Sequence, residues 1–243
     1  MTKEERSIIA VNHISQMSHK YESNINDSIK NSHVYRGTNV KGIDSKPIIY
    51  LEDCTSEDAV FKHAELYNDS LCLLNFASYK HPGGGFIKGS IAQEEAICHA
   101  STLYNILSDE KFEEEYEYNN NHLNENLYDD FAIFTPDVIF EDEHNRVYYT
   151  NVLTVPAPNR MAYKGKSMEK YVRVLTGRID YLLNVMKCEH QRTLILGAFG
   201  CGVFGNNPYM VASIFEKLIK SKYSNDFEEI IFAIPNKDGY NFN

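Results

Sequence analysis

The chain alternates short apolar runs with stretches of helical spacing. Ile8, Val11, Ile14 and Met17 lie along one stripe and predict a helix over residues 4–18. The Asn- and Ser-rich sequence that follows, to about residue 32, reads as an exposed connection. Residues 47–52 predict a strand, and Asp53-Cys54-Thr55-Ser56 the turn into a helix over 57–67. Residues 71–76 form an apolar run interrupted only by Asn75 and read as a buried strand. Ala96, Ala100, Leu103 and Leu107 return to helical spacing, flanked by Ile97 and Tyr104. Residues 131–134 and 138–140 read as two short strands around Pro136, and 147–155 as a longer one. Ser167 caps a predicted helix to about Lys187, whose stripe of Tyr171, Val174, Leu175, Ile179, Leu182 and Val185 is core. Residues 193–196 form a second strongly apolar strand, Pro208 opens the next helix, and 228–234 close the chain as a strand. Strand and helix in turn predict an α/β fold, a three-layer α/β/α sandwich around a mixed sheet.

Composition narrows this further. At 243 residues, 43% of them hydrophobic, the chain suits a single unit over 1–243 with one substantial core. Within it, 1–45 read as an N-terminal helical extension. Residues 109–130, acidic and Asn-rich with Glu113-Glu114-Glu115 and Asn119-Asn120-Asn121, read as a solvated surface insertion in which His122 is simply exposed. No apolar run approaches the ~18 residues of a membrane helix. The start of the chain lacks the basic-then-apolar order of a secretory signal. Cys54, Cys72, Cys98, Cys188 and Cys201 are odd in number and widely spaced, as expected of reduced thiols in a cytoplasmic protein. A net charge of −10 disfavours direct nucleic-acid binding, which needs clustered Lys and Arg. An anionic ligand would instead have to be held by backbone N–H groups. A monomer is expected.

Two glycine-rich loops carry the candidate chemistry. The first, His81-Pro82-Gly83-Gly84-Gly85-Phe86, follows the buried strand and leads into a helix opened by Gln93-Glu94-Glu95. Three consecutive glycines suit a place where a ligand lies against the backbone. Each part also has a plain structural reading: Ser90 and Gln93 match a capping box, and acidic residues in a first helical turn complement the macrodipole. The combination of a glycine loop wide enough for a sugar and two adjacent carboxylates points to cleavage at an anomeric carbon. There a carboxyl group protonates the leaving oxygen and then activates water. The second loop, Gly197 to Asn206, lies between an apolar strand and a helix N-terminus and makes a diphosphate cradle. Cys201 within it has no base beside it in sequence and does not read as a nucleophile. No His or Cys cluster has metal-ligand spacing around either loop, so neither a metal nor a cofactor is expected.

Gly83-Gly84-Gly85, seven residues, then Gln93-Glu94-Glu95 resembles the signature of poly(ADP-ribose) glycohydrolases. The context of Asn75-Phe76-Ala77-Ser78 before it, and the Val155-Pro156-Ala157-Pro158 loop, are most similar to the bacterial type. The resemblance implies a macrodomain fold and metal-free cleavage of ribose–ribose bonds in ADP-ribose polymers or on an ADP-ribosylated protein. It also implies site residues. The terminal ribose would lie near Asn75 and Ser78, against Gly83, Gly84, Gly85 and Phe86, with Gln93 heading the triplet. The diphosphate would lie on Gly200, Cys201, Gly202 and Val203, with Phe204 covering the ligand and Asp53 a candidate for the adenine. Glu95 would be the general acid, with Glu94 holding the ribose hydroxyls. Two other functions remain compatible: a hydrolase removing single ADP-ribose groups from a side chain or small molecule, and a non-catalytic ADP-ribose reader. A reader does not require the paired carboxylates. A further tension is electrostatic, since a helix N-terminus lowers a carboxyl pKa whereas an acid at neutral pH needs it raised.

Overall fold

The computed structural model describes residues 1–36, 46–67 and 70–236. Two helices lead the chain, α1 (Lys3–Lys20) and α2 (Glu22–Asn31), followed by β1 (His33–Tyr35), β2 (Ile48–Glu52), α3 (Ser56–Tyr67) and β3 (Leu71–Phe76). Then come α4 (Gln93–Ala100), α5 (Leu103–Leu107), α6 (Glu113–Asn121), β4 (Ala132–Glu141) and β5 (Val147–Val155). The chain continues through α7 (Met168–Cys188), β6 (Thr193–Leu196), α8 (Pro208–Lys220) and β7 (Glu229–Ala233). The strands form one mixed sheet in the order β1-β4-β5-β3-β6-β7-β2. β4 pairs antiparallel with β1 and β5, and every other pairing is parallel.

The apolar run of β3 shows how the layers arise. Successive side chains of a strand face opposite sides of a sheet. Leu71 and Leu73 enter a core with Ala10, Val60, Ile97 and Ile106 of the helices from α1 to α5. Cys72 and Leu74 enter a second core with Leu175, Leu182, Val211 and Phe215 of α7 and α8. The sheet is thus covered on both faces, which gives the α/β/α sandwich expected. It also explains why its central strands read as unbroken apolar runs rather than as alternation.

Four local expectations change. The Asn- and Ser-rich stretch is helix α2, because Ile25 and Ser28 fall one turn apart and bury against β4. The helix after the first loop breaks at Ser101, which is extended and bridges Phe140. Thr102 fixes the break: its N–H donates to Ile139 O (2.9 Å), and Ile139 N–H donates to Thr102 Oγ1 (3.2 Å). The two short strands around Pro136 are one strand, β4, with a bulge that places Asp137 at φ 53°. Residues 109–130 are solvated on one side only: Glu110, Glu113, Glu114 and Glu117 are exposed, while Phe112, Tyr116, Asn119, Leu127 and Tyr128 are buried. Each such aromatic contributes roughly 1.5–3 kcal/mol by burial, which outweighs the charge run in deciding where the segment lies. His122 is exposed as expected.

Candidate active site

The first glycine loop runs from the end of β3 to the start of α4. Gly84 N–H donates to His81 O (3.1 Å) and Phe86 N–H to Gly83 O (3.0 Å), coiling the loop tightly enough that Gly83 and Gly84 take φ of +62° and +61°. Both are also sterically confined. A Cβ on Gly83 would stand 2.5 Å from the Tyr104 ring, and one on Gly84 would stand 2.7 Å from Glu95 Oε1 and 2.8 Å from Glu94 Oε2. The loop backbone therefore lies close against both carboxylates at Gly84, and the glycine permits it.

Glu94 and Glu95 are buried, at 3% and 6% exposure. Their surroundings differ. Glu94 Oε2 accepts from Ser78 N–H (2.7 Å) and its Oε1 from the Asn75 amide (3.3 Å). Glu95 Oε1 accepts from Gly85 N–H (2.8 Å), while its Oε2 has no hydrogen-bond partner. Burial pushes the Glu94 carboxyl up to about 8, with the Ser78 and Asn75 donors opposing and the neighbouring Glu95 charge adding to the rise. At Glu94, burial thus outweighs the helix N-terminus, which would lower a carboxyl pKa.

This shift has a stability consequence. Below about pH 4.5 Glu94 is protonated folded or unfolded; between 4.5 and about 8 only the folded chain keeps the proton, so its burial costs stability as pH rises. Glu94→Gln removes that term. Its melting temperature relative to the parent is expected to climb between pH 5 and pH 8, by roughly 3–8 °C. A difference that stays flat with pH would show that Glu94 is ionised in the folded protein.

Gln93 does not form the capping box; Ala92 is the N-cap residue of α4 and makes no side-chain cap. The Gln93 amide is used across the strand end instead. Its Oε1 accepts from Phe76 N–H (2.9 Å), and its Nε2 donates to Leu74 O (2.9 Å) and Ser56 Oγ (3.0 Å), tying α4 to β3 and α3. Phe86, which the resemblance sets against the ribose, instead faces the core. Its ring is fully buried beneath the loop against His99 (4.6 Å) and Tyr104 (5.1 Å), so it supports the loop from below and is not among the residues lining the cavities between the loops.

The second loop leaves β6 and reaches α8. Gly200, at φ +69°, packs so closely on Asn206 and Ala157 that a Cβ there would stand 2.4 Å and 2.5 Å from them. Asn206 holds the loop closed by donating to Gly200 O (3.0 Å) and Pro158 O (3.1 Å). Gly202 differs: a Cβ there would meet nothing, because it faces open space. The Cys201 thiol is pushed up to about 11 by burial, which leaves it a poor nucleophile at neutral pH.

Between the loops lie adjoining cavities. A chamber of about 280 Å³ is lined by Ser78, Gly84, Gly85, Glu94, Glu95 and Phe204 among others. Phe76, Val203 and Phe204 also wall the next, of about 220 Å³, with Gln93, Gly200 and Gly202. A third, of about 440 Å³, continues past Gln93, Cys201 and Gly202 to Ser56 and Ile234. The trough lies beyond the carboxyl ends of β3, β6 and β7, where open α/β sheets bind ligands. Asn75 lies beneath Glu94 rather than in the trough, and Gly83 backs onto Tyr104. Asp53 stands at the end of β2 with Oδ1 accepting from Asn236 N–H (2.8 Å), outside the cavity linings.

Residues 4–141 match the family described as microbial-type PARG, catalytic domain. The chain belongs to this family. The crystal structure of poly(ADP-ribose) glycohydrolase (PARG) from Thermomonospora curvata is similar at TM-score 0.88 and 28% identity, over 98% of this chain and 96% of that one. The same enzyme bound to the inhibitor ADP-HPD is similar at TM-score 0.82 and 28% identity, over 97% and 95%. PARG from Deinococcus radiodurans in complex with ADP-ribose is similar at 0.77 and 29%, over 88% and 91%. No match is found among curated proteins. The fold is macrodomain-like, as in these PARG structures.

Sequence reasoning missed what braces the PARG site. Arg178, on α7, is fully buried, with Nε donating to Asp130 Oδ1 (2.7 Å), Nη1 to Pro156 O (2.5 Å) and Nη2 to Tyr128 O (3.0 Å). Tyr128 in turn stacks on Tyr79 of the first loop (4.3 Å) and approaches Phe204 of the second (6.2 Å). On the opposite side α1 holds the first loop through Arg6 Nε to Gly89 O (2.8 Å) and Ser7 Oγ to Ile87 O (2.5 Å). The one sequence signal for the first brace is a lone arginine inside an apolar helical stripe.

Proposed function

We propose that the chain is a PARG that hydrolyses the ribose–ribose O-glycosidic bond of poly(ADP-ribose), acting on the terminal unit and releasing ADP-ribose. The observation that carries the reading is the pair of buried carboxylates meeting at Gly84, at one end of a trough that continues over the second glycine loop. The terminal ribose fits the carboxylate chamber. The diphosphate fits Gly200 to Phe204, where Gly202 leaves room for a ligand to touch the backbone.

Glu95 is assigned the proton transfer, because its Oε2 is the carboxylate oxygen of the pair without a partner. Its proton goes to the departing ribose oxygen as the anomeric C–O bond breaks. Water then attacks the oxocarbenium-like carbon, and Glu95 takes the proton that water gives up. Glu94, held on both oxygens, positions the ribose hydroxyls and sets the field at Glu95. Among the described residues no three His, Cys, Asp or Glu side chains come together to hold a metal ion. The five cysteines are free thiols, which supports the cytoplasm as the working compartment. No helix among the described residues is long and apolar enough to cross a membrane.

Incubation with polymer of defined length and with a serine-linked mono-ADP-ribosylated peptide tests the reading. Free ADP-ribose should accumulate from the polymer from the first time point, without short oligomers. Release from the peptide alone would make the protein a mono-ADP-ribosyl hydrolase, and release from neither a reader.

A further inference from the structure

The carboxylate chamber has a basic edge that the reaction does not use. His81 and Lys88 line it together with Ser78, Gly84, Glu94 and Glu95. Both are exposed, and Lys80 adjoins His81 in the chain. None of the three is ion-paired with a described carboxylate, whereas Lys62, Lys170, Lys187 and Lys222 are. Partial desolvation of the otherwise exposed ring, with the ammonium groups of Lys88 and Lys80 nearby, pushes the His81 imidazole below its ordinary value. At neutral pH it is therefore a neutral hydrogen-bonding ring, and Lys88 supplies the charge. In a chain of net charge −10, an exposed cation at the mouth of an acidic chamber is placed for an anion.

The leaving group tells which anion. When a polymer is cut, the departing oxygen belongs to the adenosine ribose of the preceding ADP-ribose unit, which carries its own diphosphate on the same sugar. A single ADP-ribose on a serine has no such group. The distal ADP-ribose already occupies the trough on the other side of the carboxylates, so the preceding unit must leave across the chamber mouth. We propose that Lys88 and His81 form a subsite for the diphosphate of the leaving ADP-ribose unit, and that this subsite favours polymer over mono-ADP-ribosylated substrates. The inference rests on the glycohydrolase reading above.

The test compares an ADP-ribose dimer with an ADP-ribose that carries an uncharged nitrophenyl leaving group. In about 50 mM salt, Lys88→Ala should raise KM for the dimer roughly three- to tenfold with kcat within about twofold, and Lys88→Glu should raise it further. At about 500 mM salt the gap should shrink, since an exposed charge is screened. KM for the nitrophenyl substrate and Kd for ADP-ribose, which lacks the leaving unit, should not change. His81→Asn should give a smaller rise in KM, confined to the dimer. An equal rise on both substrates, or an unchanged KM for the dimer, would overturn the subsite while leaving the hydrolase intact. A parent that releases no ADP-ribose from the dimer would instead sink the glycohydrolase reading itself.

Discussion

Replacing Glu95 by Gln is expected to lower kcat on polymer by roughly 10²–10⁴-fold, the usual worth of a general acid–base group, while ADP-ribose still binds. Glutamine keeps the volume and retains an oxygen to accept from Gly85 N–H, so the loop contact at 2.8 Å survives the change. What it loses is the ability to give a proton and take one back. Glu94→Gln should behave differently. Its carboxylate receives donors on both oxygens, and an amide puts an N–H where one of those donors points. Ribose positioning then suffers, so KM should rise while kcat falls. Product release and ligand affinity measured side by side separate the two. If Glu95→Gln turns over within a few-fold of the parent while Glu94→Gln is inactive, the roles are exchanged. The raised pKa of Glu94 makes this a genuine alternative, because at neutral pH the free pocket holds a proton on that carboxyl.

The parts of the site legible in the sequence share one property: their chemistry is written in consecutive residues. Gly83-Gly84-Gly85 and Gln93-Glu94-Glu95 mark a strand-to-helix turn because the glycine run and the carboxylate pair occur together, seven residues apart, and the cores on the two faces of the sheet follow from apolar runs such as Leu71–Phe76. Sequence reasoning fails where a role depends on a partner far along the chain. Phe86 sits in the middle of the loop, yet it opens a 3₁₀ turn with its ring in the core, and only the packing of His99 and Tyr104 reveals it. Gln93 matches a cap by spacing but finds stronger partners in Phe76 N–H and Leu74 O, groups left open at the end of β3. In the acidic segment 109–130 charge density conceals the buried Phe112, Tyr116, Leu127 and Tyr128, which are too irregularly spaced to form a stripe. Its consequence reaches the site. Tyr79 OH donates to His122 O (3.2 Å) and accepts from Asp129 N–H (3.3 Å), so this segment holds the approach to the glycine loop.

The glycine loop gives the second large effect. Gly84→Ala adds one methyl group, and that group would stand 2.7 Å from Glu95 Oε1 and 2.8 Å from Glu94 Oε2. Nothing else blocks it so closely, and both obstacles are the far ends of side chains. The fold can therefore survive by turning the carboxylates away, at a further cost of about 1–2 kcal/mol for an L-residue at φ +61°. Turning them away is what destroys the site. The Gly85 N–H to Glu95 and Ser78 N–H to Glu94 contacts fix the two carboxylates in place, and for the roles proposed for them a displacement on the order of 1 Å is enough to cost about 10²-fold in rate. Gly84→Ala should therefore lose roughly that much kcat or more, with a melting temperature only a few degrees below the parent. Gly177→Ala is the matched control. It lies within α7, where a Cβ meets nothing, so alanine should raise stability by roughly 0.5–1 kcal/mol and leave turnover as it is. Calorimetric unfolding and ADP-ribose release measured on both variants decide the matter. If Gly84→Ala keeps parental turnover, the two carboxylates do not act from the positions that the loop imposes on them, and the assignment of the reaction to this chamber fails.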